Sequence, residues 1–177
     1  MVNFPRNQVC ITNFFVILSS KMTSSHNLDT QKINPTMRKF GAPESCIHNY
    51  EYWSVILRPV QVTLGSMVLA AYEPVSSFSE LSPASFNELK LVTSDLEKCL
   101  KSTFSCDKLN YLMLMMVDPH VHFHVIPRYA ETKYFADKEF IDASWPGPPD
   151  LGQFNQTDDE LNRQIIEHMS ENWDHRG

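Results

Sequence analysis

The chain has 177 residues, of which 42% are hydrophobic and 20% charged, and carries a formal net charge of −6. That length suits one ordinary domain with some tail, and the composition is that of a globular protein that buries its own core without disulfide or metal support. The acidic balance excludes the basic footprint of a nucleic-acid-binding surface, so a phosphorylated ligand has to be held by local donors rather than by bulk charge.

Residues 1–28 contain no acidic side chain and only Arg6 and Lys21 as fixed positive charges. The apolar stretch from Val9 to Leu18 is broken by Thr12 and Asn13 and is too short to span a bilayer. No alanine near Ser19 or Ser20 offers a typical signal cleavage site. Residues 1–36 therefore read as a disordered N-terminal extension or upstream sequence, with Met22 and Met37 as alternative starts. The folded domain is expected over 37–170, with 171–177 as a tail. The expected location is the cytoplasm, without membrane association, and targeting to an organelle through 1–28 is the alternative. Cys10, Cys46, Cys99 and Cys106 form no Cys-x-x-Cys pair and read as reduced thiols. Cys46 and His48 are two apart but lack the second matching pair a zinc site needs.

Asn49 to Leu57 is rich in aromatic and β-branched residues and predicts a strand, which Arg58-Pro59 interrupts. Val60 to Leu64 alternates, Gly65-Ser66 marks a bend or bulge, and Met67 to Tyr72 is a short apolar run suited to a buried strand. Ser82-Pro83 opens a helix, serine as N-cap and proline at the first position. Phe86, Leu89, Val92, Leu96 and Leu100 then give it one apolar face, and it should end near Thr103. Leu109 to Val117 is almost wholly apolar and predicts a central strand. Asp118-Pro119 breaks it, and the strand that follows so closely must run antiparallel to it. After Arg128 no pattern persists. Trp145-Pro146-Gly147-Pro148-Pro149 is a rigid loop, and Thr157-Asp158-Asp159-Glu160 resembles a capping box opening a C-terminal amphipathic helix. Strands, helix, strands, helix with antiparallel pairing define an α+β domain.

The last strand carries the chemistry. Its start, residues 120–125, reads His-Val-His-Phe-His-Val, three of the chain's seven histidines in strict alternation. An extended strand puts His120, His122 and His124 on one face and Val121, Phe123 and Val125 on the other. Three uses compete: a half-exposed face that happens to be histidine-rich, a zinc site completed from elsewhere, and nucleophilic catalysis by a neutral ring nitrogen attacking phosphorus. The last needs one histidine held in one tautomer, with neighbours that donate to phosphate oxygens and leaving group.

His120-x-His122-x-His124, with apolar residues at 121, 123, 125 and 126, resembles the histidine triad pattern, and Ile126-Pro127-Arg128 resembles the end of that motif in the fragile-histidine-triad branch of dinucleoside polyphosphate hydrolases. Leu64-Gly65-Ser66-Met67-Val68-Leu69 resembles that branch's Pro-Gly-His-Val-Leu-Val strand. Pro74-Val75 through Leu81-Ser82-Pro83 resembles its link into the long helix, and Ala143-Ser144-Trp145 its C-terminal region. The resemblance implies a HIT-like fold with a five-stranded antiparallel sheet, one long helix and a C-terminal helix, usually as a homodimer. It implies a nucleotidyl hydrolase or transferase cleaving at the α-phosphate of a dinucleoside polyphosphate or related nucleotide conjugate. His122 would be the nucleophile, His124 would contact phosphate or leaving group, and His120 would support the hydrogen bonding. No cofactor is required, a divalent metal serving at most as substrate counterion. Two departures stand out. Ser66 replaces a fourth histidine, and Met115-Met116-Val117-Asp118-Pro119 replaces the Gly-Gln-Ser/Thr segment that cradles phosphate. Substrate binding is therefore assigned to Ser66 and Arg128. The family's ribose-binding Asn or Asp has no match near Arg58. A nucleotide-binding module without turnover and a zinc-dependent hydrolase are the alternatives.

Overall fold

The computed structural model describes residues 30–173. Its elements in chain order are α1 (Pro35–Lys39), β1 (Cys46–Asn49), β2 (Trp53–Leu57), β3 (Met67–Ala71), α2 (Pro83–Phe104), β4 (Lys108–Leu112), β5 (His122–Arg128), β6 (Lys133–Phe135), β7 (Lys138–Phe140) and α3 (Asp159–Glu171). Five strands form one antiparallel sheet in the order β1-β2-β3-β5-β4, and β6 and β7 make a separate hairpin. This is the expected α+β architecture, with a long helix and a C-terminal helix.

The sheet has two unequal cores. On one face Trp53, Val55, Leu57, Met67, Leu69, Val121 and Val125 meet Val92, Leu96 and Leu100 of α2 and Ile165 and Met169 of α3. Helix α2 is placed by its cap: the Ser82 hydroxyl accepts from the Ser85 amide at 3.2 Å, and Pro83 opens the first turn. Before β3, Gly65 takes a positive φ of 78°, and an added Cβ would stand 3.0 Å from the Phe104 ring, so a side chain there meets both backbone strain and a clash. The opposite face is smaller. Ile56, Val68 and Ala70 are covered by Ile33, Met37, Phe40 and Ala42, from the stretch around α1. Among the described residues no helix is long and apolar enough to cross a membrane.

Several sequence expectations shift. The strand expected over 49–57 is instead the end of one strand and the whole of the next, turned at Tyr50–Tyr52. Val60 to Leu64 is not a strand, and only Gln61 makes an isolated bridge, to Asn155. The strand expected over 109–117 stops at Leu112, and Met116 and Val117 beyond it are 91% and 82% exposed. The β6–β7 hairpin lies where no pattern was legible. The α3 N-cap is Asp158, accepting from the Leu161 amide at 2.8 Å, one residue later than the expected Thr157. Residues 30–36, read as part of an extension, belong to the folded body through 33–36, whereas 1–29 and 174–177 lie outside the described residues.

Candidate active site

The histidines are placed by register. Val68 of β3 pairs with His124 and Ala70 with His122, and Leu112 of β4 lies opposite His124 from the other side. The ladder continues one residue before β5, where the Ala71 amide donates to the Val121 carbonyl at 3.0 Å. His120 sits in the bend just ahead of the strand, and its Nδ1 is 3.0 Å from the Thr36 hydroxyl. Val121 and Val125 are fully buried in the larger core, while Phe123 is half-buried against Phe78 and Trp53.

His122 is wholly buried and His124 nearly so. Their rings meet edge to face with centroids 5.1 Å apart. His122 Nδ1 donates to the His120 carbonyl at 2.8 Å. A carbonyl only accepts, so in the neutral ring the proton is on Nδ1 and Nε2 carries the lone pair. That Nε2 is buried and has no hydrogen-bond partner, and neither has Nδ1 of His124. Burial above all, then the neighbouring His122 and the positive charge of Arg58, pushes the His124 pKa down to about 4. His124 is therefore neutral at pH 7, able to donate a hydrogen bond but a poor source of a proton.

One residue covers both rings. Phe40 stands 5.6 Å from the His122 centroid and 5.5 Å from that of His124, and is itself almost fully buried. It is carried by the stretch after α1. Asn34 both caps α1, accepting from the Met37 amide at 3.0 Å, and donates to the Ala71 carbonyl at 3.0 Å. Lys39 closes the outer side with a salt bridge to Asp118 at 2.6 Å. This cover was not legible in the sequence, because the side-chain ties of Asn34, Thr36 and Lys39 run to partners far along the chain.

Neither expected substrate-binding residue is available at the histidines. The buried Ser66 hydroxyl donates to the Thr63 carbonyl at 2.8 Å and accepts from the Thr63 amide at 3.0 Å, so it closes a turn. Arg128 lies six residues along β5 from His122, about 20 Å away at strand rise. It is buried in a bidentate ion pair with Asp142, at 2.6 and 3.0 Å, and its Nη1 donates to Asn110 at 2.9 Å. The sequence signals for both were real, a polar residue after glycine and an arginine ending the motif, but both residues tie backbone segments together. Arg58, which with Pro59 ends the second strand, places its positive charge near enough to His124 to act on it. Its amide donates to the Ser66 carbonyl at 3.0 Å, which extends the β2–β3 ladder to it.

Comparison with solved structures identifies this arrangement as the histidine triad fold. A histidine triad protein from Sinorhizobium meliloti 1021 matches with a TM-score of 0.62 at 20% identity, over 79% of this chain and 95% of that one. Another from Bradyrhizobium japonicum matches at 0.60 and 18%, over 80% and 96%. The Caenorhabditis elegans NitFhit protein matches at 0.51 and 15%, over 71% of this chain and 27% of the larger one. No family model matches the chain, and no curated protein does. The likeness is one of fold.

Proposed function

We propose that this protein is a nucleotidyl hydrolase or transferase of the fragile-histidine-triad type, acting at the α-phosphate of a dinucleoside polyphosphate or related nucleotide conjugate. The observation that carries this reading is the hydrogen bond from His122 Nδ1 to the His120 carbonyl, which leaves an unprotonated Nε2 as nucleophile. Nε2 attacks phosphorus, the P–O bond to the leaving group breaks, and a nucleotidyl-histidine forms that water then cleaves at the same phosphorus. His124 donates to charge that develops on the phosphate or leaving group, and His120, held by Thr36, fixes the tautomer of His122. No step needs a cofactor.

The binding-module alternative draws on one observation, that Phe40 leaves His122 Nε2 without solvent contact. The zinc alternative needs a further ligand, and among the described residues no three His, Cys, Asp or Glu side chains are grouped to hold a metal. A homodimer is also proposed: β4 is an edge strand, and Met113, Leu114, Met116 and Val117 beside it are exposed apolar residues that a second copy would cover.

The deciding experiment incubates wild type, His122→Ala and His124→Ala with labelled dinucleoside polyphosphate, with and without chelator. The wild type should form a covalent nucleotidyl adduct in chelator, and His122→Ala should form none while still binding nucleotide. His124→Ala should lose about 100- to 1000-fold in rate, as for removal of one transition-state donor. Near wild-type turnover by His122→Ala refutes the mechanism. Binding without turnover across a broad panel establishes the module instead. Light scattering at micromolar concentration tests the dimer.

A further inference from the structure

A polyphosphate substrate brings more negative charge than a pair of imidazoles can hold, and Arg128, the strand-face cation expected to meet it, is paired with Asp142. One other guanidinium lies near. In β2, Ile56 pairs with Val68, which in turn pairs with His124, so the three share a face of the sheet. Arg58 follows Ile56 by two residues on the same continued ladder and falls on that face too. Its Cα lies roughly 10 Å across and 7 Å along the sheet from that of His124. Its charge is among the causes that depress His124.

The guanidinium is also incompletely satisfied. Nη1 donates to the Val60 carbonyl at 2.6 Å, but Nε is buried with no partner. Among the described residues no carboxylate pairs with it, although burial disfavours its charged form. A partly buried cation without a counter-ion favours the arrival of an anion. The planar fork of an arginine is suited to two oxygens of one phosphate.

We infer that Arg58 holds a second anionic group of the substrate, a phosphate adjoining the one that faces His122 and His124. This rests on the proposed nucleotide chemistry for the identity of the anion, and not for the existence of the site. Arg58 then acts on affinity rather than on the chemical step, so its loss raises KM for polyphosphate substrates and leaves kcat nearly unchanged.

The test uses the full chain and inorganic tripolyphosphate, titrated by calorimetry at low ionic strength into wild type, Arg58→Gln, Arg58→Lys and, as a control on a distant exposed cation, Lys90→Gln. Circular dichroism checks folding. Arg58→Gln should weaken tripolyphosphate about tenfold or more, the loss typical of one charge-assisted contact. Arg58→Lys, which keeps the charge without the fork, should fall between, and Lys90→Gln should match wild type. If Arg58→Gln does not fold, undiminished binding by Arg58→Lys overturns the bidentate contact. Tripolyphosphate binding by Arg58→Gln within twofold of wild type, an equal loss in Lys90→Gln, or no binding by wild type overturns the assignment. Arg58-dependent binding without nucleotide turnover would leave it standing and remove the hydrolase reading. Turnover with a KM indifferent to Arg58 would do the reverse.

Discussion

The neutral state of His124 makes the identity of the leaving group decisive. With a pKa of about 4, only about one His124 in a thousand is protonated at pH 7, against about one in four for an imidazole at the usual 6.5. That is roughly a 200-fold deficit in available acid, or about 3 kcal/mol for any leaving group that must be protonated as it departs. Ser66, locked in its turn, cannot make up the difference. Polyphosphate and phosphosulfate leave as stable anions and do not meet this barrier, whereas amines do. Steady-state kcat/KM should therefore be measured from pH 4.5 to 8 for a nucleoside polyphosphate and a nucleoside phosphoramidate of the same base. The polyphosphate should be preferred by at least about 100-fold at pH 7, and the gap should narrow as pH falls towards 4. Equal turnover of both at pH 7, or a gap that does not change with pH, refutes the argument that a buried, neutral His124 limits proton donation.

The same burial affects stability. The unfolded chain takes up a proton on this histidine at about pH 6.5 and the folded protein only near 4, so the unfolded state binds more protons between those values and stability falls as pH drops through them. The loss is up to about 3 kcal/mol, read by urea melts at each pH, and His124→Phe should remove that part of the pH dependence. Asp142→Ala strands the buried Arg128 charge and should destabilise by about 3–5 kcal/mol, whereas replacing both partners with apolar residues should recover much of that in the same melts. Phe40→Ala should destabilise by about 3 kcal/mol and speed acylation of His122 and His124 by diethyl pyrocarbonate. Unchanged labelling would mean that Phe40 is not the cover.

What could be read from the chain was what its neighbours determine. The α2 cap is spelled by Ser82-Pro83 and its buried stripe by residues three and four apart, so the helix appears within one residue of its expected end. Alternation alone places His122 and His124 on one face of β5, whereas His120, expected there too, falls in the bend before the strand. Leu109 to Val117 shows where this fails: apolar composition without periodicity cannot distinguish a buried strand from an exposed loop, and only Lys108–Leu112 pairs. The site's surroundings are non-local. Asp142 reaches Arg128 across 14 positions, Thr36 reaches His120 across 84, and Lys39 reaches Asp118 across 79. Nothing in the composition of any of these segments names its partner.

The cover also has an unusual place in the chain. Arg38 and Lys39 are exposed, and every strand and both long helices follow them. A trypsin-like cut after Lys39 would release Ile33, Asn34, Thr36 and Met37 together with Lys39, so the Asn34–Ala71, Thr36–His120 and Lys39–Asp118 ties would go at once. Phe40 would remain on the larger fragment as its new N-terminus, anchored only from one side. Limited proteolysis at this one bond therefore removes the ties that hold Phe40 over the histidines, without cutting a single strand.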